Sequence, residues 1–233
     1  EPEPPSFRWF VGGETNISYS CLDHHTEQGS GGRAALIALN ERGEEKVLTY
    51  AQLLHDVERV AAALRGIGIN RGDRVTIYMP VCTEAITLML ATVRIGAIHS
   101  VVFAGFGAGA LGQRIAASES RVVFTCDVTY RKGADVRLKE IVDDALLETE
   151  TVVEHVVSLK RTSAAMPMTP NRDLHWEEFL KEGSGISGTF ERMESNDPAY
   201  ILATSGTTAS PKLTVHVHGG YQVGISSMAR WCY

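Results

Sequence analysis

The sequence has little that would staple a small fold, and little that would cross a membrane. Cysteine is scarce. Cys21, Cys82, Cys126 and Cys232 are scattered, and no pair has metal-ligand spacing. That excludes a disulfide scaffold or a cysteine-built metal site, and the four read as reduced thiols in a cytosol-like compartment. No block of basic residues occurs: 22 Lys and Arg stand against 28 Asp and Glu, a formal net charge of -6. Nucleic acid is therefore not an expected partner. No apolar run approaches the roughly 20 uninterrupted residues of a membrane span. The most apolar stretch, 85–111, is broken by Arg94 and His99 and punctuated by Gly96, Gly105, Gly107 and Gly109, so it reads as helix, turn, strand and loop. There is no internal repeat, no low-complexity tract and no Gly-x-Ser-x-Gly elbow. The acidic, Pro-rich start does not resemble a secretory signal, so the sequon Asn16-Ile17-Ser18 reads as chance.

What remains is a chain of 233 residues, 44% hydrophobic, enough for one well-buried domain or two small ones. Residues 1–32 read as an extended leader with an aromatic cluster, Phe7, Trp9 and Phe10. From residue 33 onward an α/β nucleotide-binding domain is expected, reaching to 233. A strand over 33–39 leads to Thr49-Tyr-Ala-Gln52, the pattern of a capping box. The helix it starts carries Leu53, Leu54, Val57, Val60, Ala61 and Leu64 on one face. Short continuous apolar runs at 75–79, 99–104, 121–126 and 155–159 then alternate with helical patterns at 84–95, 111–118 and 136–147. Such runs suit a sheet buried on both faces, and the alternation predicts an α/β fold with a doubly wound, mainly parallel sheet. A polar loop over 161–172, a short helix over 174–180 and a flexible glycine-containing stretch over 183–188 come next. Ligands of such sheets lie beyond the carboxyl ends of the strands.

The most informative stretch is 200–220. An apolar strand, 200–203, runs into Thr204, Ser205, Gly206, Thr207, Thr208 and Ser210, closed by Pro211 and Lys212. Hydroxyls and backbone N–H groups around a glycine can wrap a phosphate, and a lysine adds a point charge. The loop is not a Walker A loop, because Pro211 precedes Lys212 and Leu213 comes after it. Hydroxyl density alone equally describes an ordinary turn between two strands. Two further features stand at or beyond strand ends: Asp127, and the basic loop Tyr130-Arg131-Lys132-Gly133. Two adjacent basic residues most often form only a solvated loop. His216 and His218 alternate as on a strand, but without a third ligand they do not make a metal site.

Order and spacing add a resemblance. Thr-Ser-Gly-Thr-Thr-x-x-Pro-Lys after an apolar strand resembles the phosphate-binding signature of AMP-forming acyl-CoA synthetases, the adenylate-forming superfamily. His216, Gly219, Gly220 and Tyr221 resemble the segment just after that signature in the acetyl-/propionyl-CoA synthetase branch, and the opening Phe7-x-Trp9-Phe10-x-Gly-Gly13 is similar to that of the same branch. The resemblance runs from about Phe7 to Tyr221. It implies that the chain is the amino-terminal part of such a ligase, with ATP, Mg²⁺, coenzyme A and a small carboxylate as ligands. It implies that Thr204, Ser205, Gly206, Thr207, Thr208 and Lys212 hold ATP phosphates, and that Arg131, Lys132, Gly133 and Ala134 form a loop touching the coenzyme A phosphates. Ala134 stands where the branch has a second arginine, and Ala209 and Leu213 stand where it has glycines. If either of those positions needs positive φ, a side chain there weakens the loop. No catalytic nucleophile and no resident metal is expected. The chain by itself is expected to be inactive, without the family's later adenine, ribose and carboxylate motifs, and possible self-association is expected from missing cover. The alternatives are a non-catalytic or degenerate binding or oligomerisation module of the same fold, and an unrelated nucleotide-binding α/β domain.

Overall fold

The computed structural model describes residues 7–40, 42–204 and 211–232. Thirteen strands and six α-helices occur among the described residues. In chain order they are β1 (Glu14–Thr15), β2 (Ala34–Leu39), β3 (Glu45–Thr49), α1 (Tyr50–Gly66), β4 (Arg74–Ile77), α2 (Thr83–Arg94), β5 (Ile98–Val101) and α3 (Ala108–Ser118). Next come β6 (Val122–Cys126), β7 (Val128–Arg131), β8 (Ala134–Arg137), α4 (Leu138–Glu148), β9 (His155–Leu159), β10 (Asp173–His175) and α5 (Trp176–Lys181). The last are β11 (Met193–Glu194), β12 (Pro198–Thr204), β13 (Lys212–Val217) and α6 (His218–Cys232).

Seven strands form the central sheet in the order β10-β9-β6-β4-β5-β12-β13. All pairs are parallel except β12 with β13. Alternation along the strands sends side chains to two separate cores. Val75, Ile77 and Phe124 pack with α1, α2 and α5, whereas Tyr78, Val123 and Val156 pack with Leu111 and Ile115 of α3 and Leu138 and Val142 of α4. Helices thus cover both faces, as the continuous apolar strands require. β4 leads to a helix on the first face, while its neighbours β5 and β6 lead to helices on the other. A crevice is left at their carboxyl ends, which is where ligands of such sheets sit.

Local chemistry sets the element ends. Thr49 Oγ1 accepts from Gln52 N at 3.3 Å and Gln52 Oε1 accepts from Thr49 N at 2.9 Å, the reciprocal box that starts α1. The leader and the stretch 183–188 differ from the expectation. Part of the leader is helical, at Tyr19–Asp23 and Thr26–Ser30, and polar groups of its first half tie it to the end of α2. Arg94, 1% exposed, binds both Asp23 oxygens at 2.7 and 2.8 Å, and Asn16 Nδ2 donates to the Val93 and Arg94 carbonyls at 3.0 and 3.1 Å. The glycine stretch 183–188 is packed rather than flexible. A Cβ at Gly188 would run into the Glu58 backbone, and one at Gly183 into Ala62 and Ala63, so both glycines let the chain lie on α1.

Candidate functional site at the carboxyl edge of the sheet

A cavity of about 720 Å³ opens in that crevice. Met79 and Pro80 after β4, Phe103 and Gly105 after β5, Leu202 of β12 and Arg131 of β7 are among its walls. Pro80 cannot continue the β4 ladder, so the chain turns away and leaves the opening. Phe103 is 62% exposed, and the Arg131 guanidinium carbon lies over its ring, 5.4 Å from the centroid. A Cβ at Gly105 would strike both the Phe103 ring and Arg131, so the glycine permits that contact.

The basic segment 130–133 is not a loop but the tip of a two-stranded ribbon. β7 and β8 pair antiparallel, with Arg131 opposite Ala134 and Tyr130 opposite Asp135. Lys132 and Gly133, at φ 51° and 78°, form the two-residue connection. Positive φ at both central residues matches the right-handed twist of the flanking strands, so a hairpin forms where the sequence suggests only a loop. α4 accordingly begins at Leu138 rather than near Val136. Arg131 projects from the end of β7, and the sequence expectation for Arg131, Lys132, Gly133 and Ala134 falls on one tight turn.

Thr204 and Lys212 are register partners at the ends of β12 and β13, and Thr204 Oγ1 donates to the Lys212 carbonyl at 3.3 Å. They bracket the connection that carries Ser205, Gly206, Thr207, Thr208, Ala209 and Ser210, all of which lie outside the described residues. Lys212 is exposed and forms no ion pair among the described residues. Leu213 pairs with Ala203 within β13 and is not among the residues of positive φ. The glycine argument therefore does not apply to Leu213, since extended backbone accepts any side chain.

Other polar candidates are absorbed by the fold. Asp127, buried, accepts from the backbone N–H groups of Val128, Arg161 and Thr162 at 2.7, 2.9 and 2.8 Å and from Thr162 Oγ1 at 2.7 Å. It anchors the segment after β9 and is not free for a ligand. His218 does not continue the strand face of His216. It opens α6, is fully buried, and accepts the Ile17 N–H at Nδ1, 3.2 Å away. His216 instead stacks on Tyr200 (4.5 Å, 6°), which stacks on His99 (5.3 Å, 8°). Burial pushes the His99 imidazole down to about 3, with nearby His218 adding to the shift. Burial likewise lowers His218 to about 4, partly opposed by Asp197. Among the described residues no group of three His, Cys, Asp or Glu could hold a metal ion. No helix among them is long and apolar enough to cross a membrane. The sequence alone does not single out Phe103 or Arg42, and it marks Tyr130 only as the start of the basic loop. An exposed aromatic closing an apolar run just before Gly105 is the available signal for Phe103, whereas Tyr130 and Arg42 come together only through tertiary packing.

Comparison with known proteins agrees with this architecture. Residues 22–232 match the family of AMP-binding enzymes. The chain is 45% identical over 233 residues to the 3-hydroxypropionyl-coenzyme A synthetase of Metallosphaera sedula, covering 99% of this chain and 35% of that protein. It is 44% identical over 218 residues to the acetyl-coenzyme A synthetase of Streptomyces coelicolor, covering 94% and 33%. With the enzyme of that name from Mycolicibacterium smegmatis the identity is 43%, covering 98% and 24%. The chain thus spans about a third or less of the length of these curated relatives. A doubly wound sheet with its crevice at the strand ends, the hydroxyl-rich hairpin connection and the match over nearly the whole chain together make this protein a member of the AMP-binding enzyme family.

Proposed function

We propose that this chain forms part of a short-chain acyl-CoA synthetase that uses ATP and coenzyme A. A carboxylate oxygen attacks the α-phosphorus of ATP, giving an acyl-adenylate and pyrophosphate. The coenzyme A thiol, losing its proton, then attacks the acyl carbon and AMP leaves. Thr204, Ser205, Gly206, Thr207, Thr208 and Lys212 hold the outer phosphates, and their contribution is electrostatic: donors and a cation placed where the leaving pyrophosphate gathers charge. Mg²⁺ enters with the substrate as Mg·ATP, held mainly by phosphate oxygens, a mode that needs no cage of protein carboxylates. Arg131 meets a coenzyme A phosphate, Lys132 and Gly133 shape the turn that presents it, and Ala134 leaves the ribbon one cation short. No side chain here acts as a covalent nucleophile.

The observation that carries this reading is the shared cavity. Arg131 and Leu202, the latter two residues before Thr204, line one opening at the strand ends. The β7–β8 ribbon and β12, the strand that leads to Thr204, therefore line the same space, which supports this reading. Ala134 favours a second reading, a binding module of the same fold that has lost its coenzyme grip.

The test is titration calorimetry of the chain with Mg·ATP and with Mg·pyrophosphate, and of its Lys212→Ala variant. A charge-assisted contact to phosphate is worth roughly 1.5–3 kcal/mol, so the variant should bind about tenfold more weakly or worse. Its melting temperature should stay close to that of the unmodified chain, because Lys212 is exposed. Equal affinity would remove Lys212 from the site. The chain alone should show no carboxylate-dependent ATP–pyrophosphate exchange, because adenylation needs carboxylate, α-phosphate and adenosine held together. Exchange by this chain would overturn that expectation.

A further inference from the structure

Arg42, in the turn between β2 and β3, reaches across to the ribbon. Its guanidinium carbon lies 3.7 Å from the centroid of the Tyr130 ring, and Nη2 lies 3.8 Å from Asp135 Oδ1. Tyr130 and Asp135 are register partners, so they share the ribbon face opposite Arg131 and Ala134. Asn40, two residues before Arg42, and Tyr130 itself both line the cavity. The tyrosine ring thereby seats a guanidinium against a residue of the cavity wall.

This charge is available to a ligand. The Arg42 side chain is 54% exposed, and its contact with Asp135 is longer than a hydrogen bond. Arg161 also lies over the Tyr130 ring, at 4.8 Å, but it donates to the Val128 carbonyl at 3.3 Å and is partly buried. The ribbon itself offers Arg131 and lacks a cation at Ala134. Arg131 thus lines the cavity directly, while Arg42 stands against Tyr130, another of its walls, from the ribbon's other face.

We propose that Arg42 supplies the second phosphate-binding cation of the coenzyme A site, in place of an arginine at position 134. The inference rests on the coenzyme A reading of the cavity. Cation–π seating on Tyr130 holds the guanidinium plane without consuming its N–H donors, which leaves them free for phosphate oxygens.

The probe is coenzyme A itself, titrated calorimetrically into the 233-residue chain at several salt concentrations. The variants are Arg42→Ala, Arg131→Ala, and Arg42→Ala combined with Ala134→Arg. Arg42→Ala should weaken coenzyme A by about tenfold. It should also flatten the salt dependence of the affinity, since one screened charge is gone. Adding Ala134→Arg should restore much of the loss. Unchanged affinity in Arg42→Ala, with a clear loss in Arg131→Ala, overturns this inference and leaves the coenzyme A reading standing. A loss that keeps the original salt dependence and is not rescued by Ala134→Arg makes Arg42 a structural tie between two hairpins, which also overturns it. Failure of the unmodified chain to bind coenzyme A overturns both.

Discussion

At the scale of single residues, the histidines show how register decides chemistry. His99, Tyr200 and His216 are far apart in the chain, yet the pairings Tyr200↔His99 and Tyr200↔His216 stack them across three strands. That stack is not legible in the sequence, because strand order and register are tertiary facts. The i, i+2 spacing of His216 and His218 is legible but misleading, since the strand ends between them. The buried histidines also give a pH test. His99 Nδ1 has no hydrogen-bond partner among the described residues, and both His99 and His218 are held below the ordinary value of about 6.5 by burial. The unfolded chain therefore takes up protons that the folded chain refuses. Stability is intact above about pH 6.5 and falls as the pH drops toward about 4, with a slope approaching about 1.4 kcal/mol per pH unit for each histidine. His99→Phe, which keeps an aromatic ring on Tyr200, should flatten that slope. Urea midpoints between pH 7 and pH 4 measure it, and an unchanged slope in the variant would remove His99 from the account.

At the scale of elements, helices are legible wherever a cap and a face agree, as at Thr49, Gln52 and the α1 stripe. Strands β4, β5, β6 and β9 show themselves as short apolar runs. What escapes is backbone geometry without a hydrophobic signature. Lys132-Gly133 does not carry the Asn-Gly or Asp-Gly pattern that marks a two-residue hairpin, so the β7–β8 ribbon reads as a loop. In the β12–β13 hairpin the strand β12 is legible as an apolar run, but Leu213, where the resemblance leads one to expect a glycine, belongs to the ladder of β13. Glycines in 183–188 suggest freedom, because composition does not distinguish a glycine that flexes from one that lets two segments touch. Gly188→Ala tests the difference. Its Cβ would collide with the Glu58 backbone in α1, so a loss of about 1–3 kcal/mol is expected from overpacking. Gly224→Ala is the contrast: Gly224 sits inside α6 with nothing within 4 Å of a Cβ, and should gain about 0.5–1 kcal/mol from helix propensity. Denaturation midpoints of the two variants should move in opposite directions. A neutral Gly188→Ala would mean that this stretch is loose after all.

At the scale of the whole molecule, the two faces of the sheet are closed over β4, β6 and β9 but not over the β12–β13 side. There the fold leaves apolar surface in the open. Leu202 and Val215 are 42% and 52% exposed, and Ile225, Met228 and Trp231 of α6 are 46%, 53% and 81% exposed. The three helical residues are spaced by three, so they form one stripe. The only buried residues of α6 are His218 and Gly219, which leaves most of the helix without a partner among the described residues. A monomer seldom keeps such a stripe beside an exposed strand edge, because apolar area in water gains roughly 25 cal/mol per Å² when covered, and an unpaired ladder recruits another. The chain in isolation should therefore self-associate through α6 and β13, with an apparent mass that rises with concentration in sedimentation or light scattering. Met228→Glu with Trp231→Glu places two charges in the stripe without touching either core, and should shift the distribution toward the monomer while the melting temperature of the dilute protein changes little. The exposed face would not be the contact if the double variant associated as strongly as the unmodified chain. The β2–β3 ribbon, where Ile37 and Leu39 are also exposed, would then be the next surface to charge.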